Sequence, residues 1–599
     1  MKTWSISTTV RNPERIPGFL QALTNLEGRL WDSKTQVELM YELIRHRLYR
    51  PNGMSDSQRE LFDDLDRAIS RSQAREIFEL QNYEDPPMRG RTAIAPLRDV
   101  GVVRLTPTIQ LSDVGKLLLK GKLSLQDVLL NYALKWELPV PDHKLFSYAN
   151  GFNIKPFVGT LALISQVNDY WKAEGEEPVG LSRDEFDIYV PTLISHELID
   201  QHAGKVIALR KAQKAERSAA AKLATFASHT KAHLLRCLSQ SDKGQLTEIH
   251  RNNLRDFGDN SIRYFRQTGF IEFRGAGRYI DISQVALPQA RLLVSGNHAK
   301  PIGHEDQESY LTYLSDLTSF VPPWAEESEI RKVKSHLRQV LREFGGAVPS
   351  RVPRDLPGQN RIRGEDKEVL VLRGAIREAR IDKLKAAAKS GPFIDDLLSE
   401  YLRLVSRGYN GYLPAPVALE FNTYKALLSL NDAVKVQANY PVGDDGEPIS
   451  HAPSGVCDLL CEYRDFVLSV EVTLSRGNNQ WVMEGQPVQR HLRKIETECS
   501  KPAYALFLAP RLHDDTTETF WNANIHGYQG SRQKIVALEI ASWNKFLSSV
   551  KNEIVGENFD HRKLRNFLDS ALPSSSRYRS STEWRQRINS VEFMLEFVQ

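Results

Sequence analysis

Residues 456–474 read Val-Cys-Asp-Leu-Leu-Cys-Glu-Tyr-Arg-Asp-Phe-Val-Leu-Ser-Val-Glu-Val-Thr-Leu. Two apolar runs, Val456–Glu462 and Phe466–Leu474, flank the turn Tyr463-Arg464-Asp465 and are expected to pair as a hairpin. One strand would carry Asp458 and the other Glu471, thirteen residues apart. Upstream, Val417–Leu430 has helical spacing and contains Glu420, Ala433–Tyr440 reads as a strand, and Pro441–Pro453 as a loop. Downstream, a helix started by Pro487 runs through His491, Lys494 and Ile495, and Ala503–Leu508 and Ile535–Ile540 are candidate buried strands. The order helix, three strands, helix, strand predicts an α/β domain with a mixed sheet over residues 401–599.

Two carboxylates converging across a hairpin make a hard-oxygen site for Mg²⁺, which keeps several waters and bridges to phosphate oxygens. The ion would lower the pKa of a bound water and stabilise charge on a scissile phosphate. Asp458 and Glu471 would hold it, and Glu484, just before Pro487, would complete or extend the metal set. Glu420 would orient water or a second ion, and His491 would assist proton transfer or contact phosphate. Taken alone, an Asp and a Glu on strands also fit two solvent-face acids of an edge strand; the element order favours the metal reading. Cys457 and Cys461 flank Asp458 and are expected to be small apolar fillers. With Cys237 and Cys499 they form no CxxC pair, which argues against a zinc ribbon and a disulfide framework. His196, His229 and His233 lack zinc spacing. No GxxxxGK[ST] loop supports ATP-driven translocation.

The whole chain has 599 residues, 41% hydrophobic and 26% charged, with a net charge of +4. At roughly 100–200 residues per domain it should hold three or four domains. The net charge is too small to announce a nucleic-acid partner, so any basic surface must be local. Such a surface is readable between Lys205 and Arg278, where fifteen Lys/Arg stand against six Asp/Glu. Within that span, Leu254, Phe257, Ser261, Tyr264 and Phe265 fall on one side of a helix. Asn252, Arg255, Asp256, Asp259, Arg263, Arg266 and Gln267 fall opposite. Gly269 stops the helix, and Phe270–Arg274, Gly275-Ala276-Gly277 and Arg278–Ile282 read as a wing-type hairpin. An earlier block repeats the plan. Helical spacing from Ser33 to Tyr83 and a helix ending at Val100 precede a hairpin, residues 101–105 with 109–111, and Asp113–Leu119 follows.

Both blocks are expected to be winged-helix-type subdomains, about 1–150 and 151–290, of a DNA-recognition region. Lys and Arg would fix register on the phosphates, and Asn252, Arg255, Asp259, Arg263 and Arg266, with Arg98 and Arg104 of the first block, are candidate DNA contacts. A merely solvated amphipathic helix is the alternative. Pro288–Pro301 reads as a joint. Ser309–Leu317, Glu327–Phe344 and Glu368–Arg407 are helical by spacing, with breaks at Gly345-Gly346 and Pro349–Gly364, so 291–400 is expected to be a helical linker domain. No signal-peptide core and no apolar run of roughly 18 residues occurs, so a cytoplasmic protein with no membrane partner is expected.

In order along the chain come Asn12-Pro13-Glu14-Arg15-Ile16 with Leu26-Glu27-Gly28, Val114-Gly115-Lys116, Leu254-Arg255-Asp256, and Arg263 to Gly269. Ala418-Leu419-Glu420, His451-Ala452, Asp458, Glu471-Val472-Thr473, Ser475, Met483-Glu484, Pro487-Val488, Arg490-His491 and Leu506 to Pro510 follow. In this order and spacing the chain resembles the AlwI-like type IIS restriction and nicking endonucleases, including the large nicking subunit of heterodimeric enzymes. The resemblance implies a restriction-endonuclease-like C-terminal domain of the PD-(D/E)xK type and catalytic roles for Glu420, Asp458, Glu471, Glu484 and His491. Thr473 stands where that nuclease fold usually has Lys, and the resemblance makes this a family trait.

It also implies Mg²⁺-dependent hydrolysis of double-stranded DNA a few bases outside a short asymmetric site, leaving 5′-phosphate and 3′-hydroxyl ends. Double-strand cleavage would need a second nuclease subunit or a second copy of the chain. A cognate DNA methyltransferase would protect the host. Two other readings of the residues stay open: a DNA-binding protein with a degenerate nuclease domain, and a structure-specific repair or transposition nuclease.

Overall fold

The computed structural model describes residues 1–599 apart from 64–66, 243, 276, 352, 354–361, 407, 410, 431, 454, 575 and 596–599. Ala276 of the wing turn and most of the Pro349–Gly364 break thus lie outside the described residues. The chain divides into two compact units. The first comprises Met1–Phe62, Asp66–Arg377 and Gly443–Asp445, the second Asp63–Leu65, Glu378–Val442 and Gly446–Gln599. The span 291–400, expected as a linker, is shared between them. Among the described residues no helix is long and apolar enough to cross a membrane.

In the first unit the helices Ser33–Arg45, Arg71–Glu79 and Pro86–Asp99 lead to a short antiparallel pair, Val103–Arg104 with Gln110–Leu111. Helix Asp113–Leu119 follows, capped by the Ser112 hydroxyl, which accepts from the Gly115 N–H at 3.1 Å. The later block is built around helix Glu248–Gln267, whose N-terminus is closed by a reciprocal Thr247–His250 capping box. Its inner stripe is as expected: Leu254, Tyr264 and Phe265 are at most 2% exposed, worth about 1.5–3 kcal/mol each on burial. Gly269, at φ +79°, ends the helix in the left-handed region. Strands Ile271–Arg274 and Tyr279–Ile282 then pair antiparallel. A third strand that the sequence did not announce, Leu181–Ser182, is only two residues long and adds to the outside of Tyr279–Ile282. Helix Arg183–Tyr189 packs so closely on helix Glu248–Gln267 that a Cβ on Gly258 would lie 1.9 Å from Oδ1 of Asp187. Pro288–Pro301 is not an extended joint: Leu287–Ser295 is helical, with Pro288 in its first turn, where its missing N–H costs nothing.

The second unit runs α1 (Gly391–Val405), α2 (Ala415–Ser429), β1 (Lys435–Ala438), β2 (Leu459–Glu462), β3 (Val467–Val472), α3 (Asn478–Glu498), β4 (Ala503–Ala509), α4 (Asp514–Ile525) and β5 (Ile535–Glu539). The five strands form one sheet in the order β5-β4-β3-β2-β1. β2 pairs antiparallel with both β1 and β3, whereas β3, β4 and β5 are parallel, giving the expected mixed sheet. All seven residues of β4 are buried, the signature of a central parallel strand covered on both faces. Glu368–Arg407 is not one helix: Lys367–Ala387 ends before α1 begins at Gly391. Pro487 does not start a helix either. It sits inside α3, nine residues after Asn478, so Glu484 is on the helix and not in a loop before it. The missing N–H of Pro487 leaves the helix without the bond to the carbonyl of Met483, an exposed residue.

Candidate metal centre

The hairpin brings the two leading acids together. β2 and β3 pair with Leu459 opposite Val470, and one further step sets Asp458, immediately before β2, opposite Glu471. Directly opposed residues of an antiparallel pair project from the same face. The ladder on the other side of β2 also reaches this point, since Asn439 donates its backbone N–H to the Asp458 carbonyl at 3.0 Å. Asp458 Oδ2 accepts from the Val472 N–H at 2.8 Å. Glu471, 5% exposed, contacts His491 through Oε1 and Nδ1 at 2.6 Å. Glu420, on α2, accepts from the Ala452 N–H through Oε2 at 3.0 Å. Glu484 is hydrogen-bonded by the Thr473 hydroxyl, so the residue in the place of the usual Lys holds a carboxyl of the site. Asp458 and Glu420 each keep a second oxygen, Oδ1 and Oε1 respectively, with no hydrogen bond to the described residues, while Glu471 also has a backbone hydrogen bond from Asp458.

Electrostatics show that the acids form one group. Burial, then the Glu471 charge, raises Asp458 well above the usual carboxylate range. Burial, then Glu484, does the same for Glu471. Burial, then Asp458, pushes Glu420 up to about 9, and burial pushes Glu484 up to about 7 against the Thr473 bond and His491. Burial and then Arg490 bring His491 down to about 4. Burial thus disfavours the charged form on both sides of the 2.6 Å contact between His491 and Glu471. Cys457 and Cys461 are buried thiols pushed up by desolvation, as fits apolar fillers and not nucleophiles. Four desolvated acids, two of them with a free oxygen, fit a hard divalent cation.

Their ligand atoms are set wider than a closed site. Among the described residues, the group whose His and acid ligand atoms all lie within 4.8 Å of one another is Asp432, Asp560 and His561. That group is filled by charges of its own. His561 bonds Asp432 through Nδ1 and approaches Asp465 through Nε2 at 2.9 Å, while Arg562 pairs with Asp560 and Arg565 with Asp465. It fastens the helix His561–Ala571 to the turn between β2 and β3.

The candidate DNA contacts are placed unevenly. Asn252 and Arg255 are exposed. Asp259 lies between Arg183 at 2.6 Å and Arg263 at 2.8 Å, both half-buried pairs. Arg98 pairs with Asp99, and Arg104 reaches Glu308 and Thr312 at 3.3 and 3.0 Å. Arg266 and Gln267 are not on the outward face. Arg266 is 6% exposed, bonds Asp445 of the same unit at 2.8 Å and lies over the Phe273 ring at 4.4 Å, while Gln267 donates to Glu14. Helical spacing cannot register partners 179 and 253 residues away. Arg266→Ala would remove a charged partner of the buried Asp445 and the cation over the Phe273 ring. It is expected to destabilise the protein by about 3–5 kcal/mol in chemical denaturation, whereas Arg255→Ala should leave the midpoint unchanged.

The sequence model of a family described as AlwI restriction endonuclease matches residues 99–546. No curated protein matches. Solved structures that do include the small subunit of the heterodimeric restriction endonuclease R.BspD6I, at 26% identity over 34% of this chain and 100% of that one, with a TM-score of 0.29. Another is the BpuJ1 endonuclease binding domain in complex with pyrene- and phenanthrene-modified DNA. It shows 10% identity over 50% of this chain and 91% of that one, with a TM-score of 0.31.

Proposed function

Because the chain belongs to the AlwI restriction endonuclease family, we propose that it is a Mg²⁺-dependent type IIS enzyme that reads a short asymmetric site in double-stranded DNA and cuts a few bases outside it. The observation that carries this reading is the buried group of Asp458, Glu471, Glu484 and Glu420, which repel one another until a cation joins them. Asp458, Glu471 and Glu484 would hold Mg²⁺, which when bound lowers the pKa of a water and stabilises charge on the scissile phosphate. Asp458 is aimed by the Val472 N–H and Glu471 by His491, so both enter with fixed rotamers. Glu420, fixed by Ala452, orients the attacking water. His491 moves a proton between Nδ1 and Glu471, and its other nitrogen is the candidate contact to phosphate. Thr473, lacking the charge of a Lys, steadies Glu484.

The helices followed by hairpins in the first unit would be winged-helix-type readers, with exposed Asn252 and Arg255 as the first base or phosphate contacts to test. One site of this kind cuts one strand per engagement. Nicking is therefore the expected activity of the single chain, and a second nuclease subunit or a second copy would complete double-strand cleavage. A partner methyltransferase and a prokaryotic cytoplasm follow from the same reading. The direct test is a supercoiled plasmid carrying random inserts, incubated with the protein in Mg²⁺ or EDTA. Open circles in Mg²⁺ alone, with run-off sequencing that maps breaks to one offset from one sequence, are expected. No strand scission, or scission without regard to sequence, would refute it.

A further inference from the structure

The segment between β1 and the loop that leads to β2 carries a polar group the mechanism above leaves unused. Tyr440 is 4% exposed and its phenol hydroxyl has no hydrogen-bond partner among the described residues. A buried hydroxyl with no partner lowers stability, so it persists only where something else requires it. Its surroundings identify what that is. The Tyr440 ring packs edge-on against Tyr424, with centroids 6.2 Å apart and planes at 79°. Tyr424 lies four residues after Glu420, on the same face of α2. The neighbouring Asn439 is pinned to the other half of the site, donating its backbone N–H to the Asp458 carbonyl and its side-chain amide to the Cys457 carbonyl at 2.7 Å. Tyr440 is thus held between the strand leading into Asp458 and the helix bearing Glu420, and the Glu420 charge is felt at its phenol. Glu420 in turn has one oxygen bound to Ala452 and one, Oε1, free.

We propose that Tyr440 is a positioning residue of the metal centre, whose unpartnered hydroxyl donates to the free oxygen of Glu420 once a divalent cation is bound. The proposal rests on the reading of Asp458, Glu471, Glu484 and Glu420 as a cation site. An ionised carboxylate is the strongest acceptor available to a buried phenol, and the bond would fix the carboxyl from the side that Ala452 leaves open. The hydroxyl is then a vacancy kept for the loaded state, not a bond lost from the empty one.

The test compares wild type, Tyr440→Phe, Glu420→Gln and the double variant by thermal denaturation of the full chain, first in EDTA and then across a Mg²⁺ titration, with plasmid nicking in parallel. In EDTA, Tyr440→Phe should melt at or above the wild-type temperature, because it removes only an unpaired hydroxyl. Its half-saturating Mg²⁺ concentration should rise about tenfold, the worth of one hydrogen bond to a charged group. The double variant should require the same Mg²⁺ as Glu420→Gln alone. Equal Mg²⁺ requirement in wild type and Tyr440→Phe would overturn the proposal while leaving the nuclease reading intact. A lower melting temperature of Tyr440→Phe in EDTA, or its failure to fold, would overturn it as well, since the hydroxyl would then already have a structural partner. A wild type with neither a Mg²⁺-dependent shift nor nicking would remove the cation site, and the proposal with it.

Discussion

Asp458→Ala and Glu471→Ala are each expected to lower the rate of plasmid nicking in Mg²⁺ on the order of 10³-fold while leaving DNA retention in gel-shift experiments without divalent cation within about twofold. Rate and affinity separate because the two carboxyls belong to the second unit and to no candidate DNA contact. The substitutions differ in a way that checks the geometry. Asp458→Ala also frees the Val472 N–H, a backbone donor at the end of β3, and should cost some stability. Glu471→Ala removes the carboxyl in contact with His491 Nδ1 and should move the imidazole's NMR shift, while burial and Arg490 continue to hold its pKa below the ordinary value. Either variant nicking at a tenth of the wild-type rate or faster would eliminate the hairpin as the seat of the chemistry.

The second large effect concerns pH in the absence of metal. All four acids are raised by burial, and Asp458, Glu471 and Glu420 also by acidic neighbours, so the folded chain binds protons more tightly than the unfolded one. Their contribution to stability is fully present below the unfolded carboxylate values near 4–4.5. It is lost as pH climbs through the folded values, about 7 for Glu484 and about 9 for Glu420. His491 is depressed to about 4, so it acts in the opposite sense and only below its ordinary value of 6.5. Between pH 6.5 and 9 Asp187, pushed up to about 7 by burial, acts in the same sense and Lys135, brought down to about 8 by burial, in the opposite one, so the Glu420→Gln comparison isolates the acids of the site. Metal-free protein should therefore melt at progressively lower temperature across that window, at roughly 2–4 °C per kcal/mol for a domain of this size. Saturating Mg²⁺ should reverse the trend, and the increment it supplies should grow with pH. Glu420→Gln should flatten the alkaline part of the metal-free curve. Calorimetry at pH 6.5, 8 and 9 with and without Mg²⁺ decides the matter, and a metal-free melting temperature that holds or rises toward pH 9 would contradict it.

The sheet of the second unit was legible because its cues are local. The turn at Tyr463-Arg464-Asp465 sets the register, the register puts Asp458 opposite Glu471, and the seven-residue apolar run of β4 announces a central strand. What escaped notice involves atoms without sequence signature. The Ala452 N–H that holds Glu420 is a backbone group in a loop, and the Thr473 hydroxyl on Glu484 replaces an expected cation with a neutral donor. Pro487 reads as a helix start by propensity, yet α3 begins nine residues before it, at Asn478. In the first unit, amphipathic spacing found the buried stripe of Leu254, Tyr264 and Phe265 but assigned Arg266 to solvent, since a long-range carboxylate can pull an arginine inward against its helical phase.

The knot of His561 and Arg565 on Asp465 bears on any attempt to use the cleavage half as a portable tool. The family match stops at residue 546, which invites truncation there when grafting the catalytic part onto a foreign DNA reader. Such a graft would discard the clasp that pins the tip of the hairpin bearing both leading acids, so a transferable cutter has to retain the chain at least through Arg565.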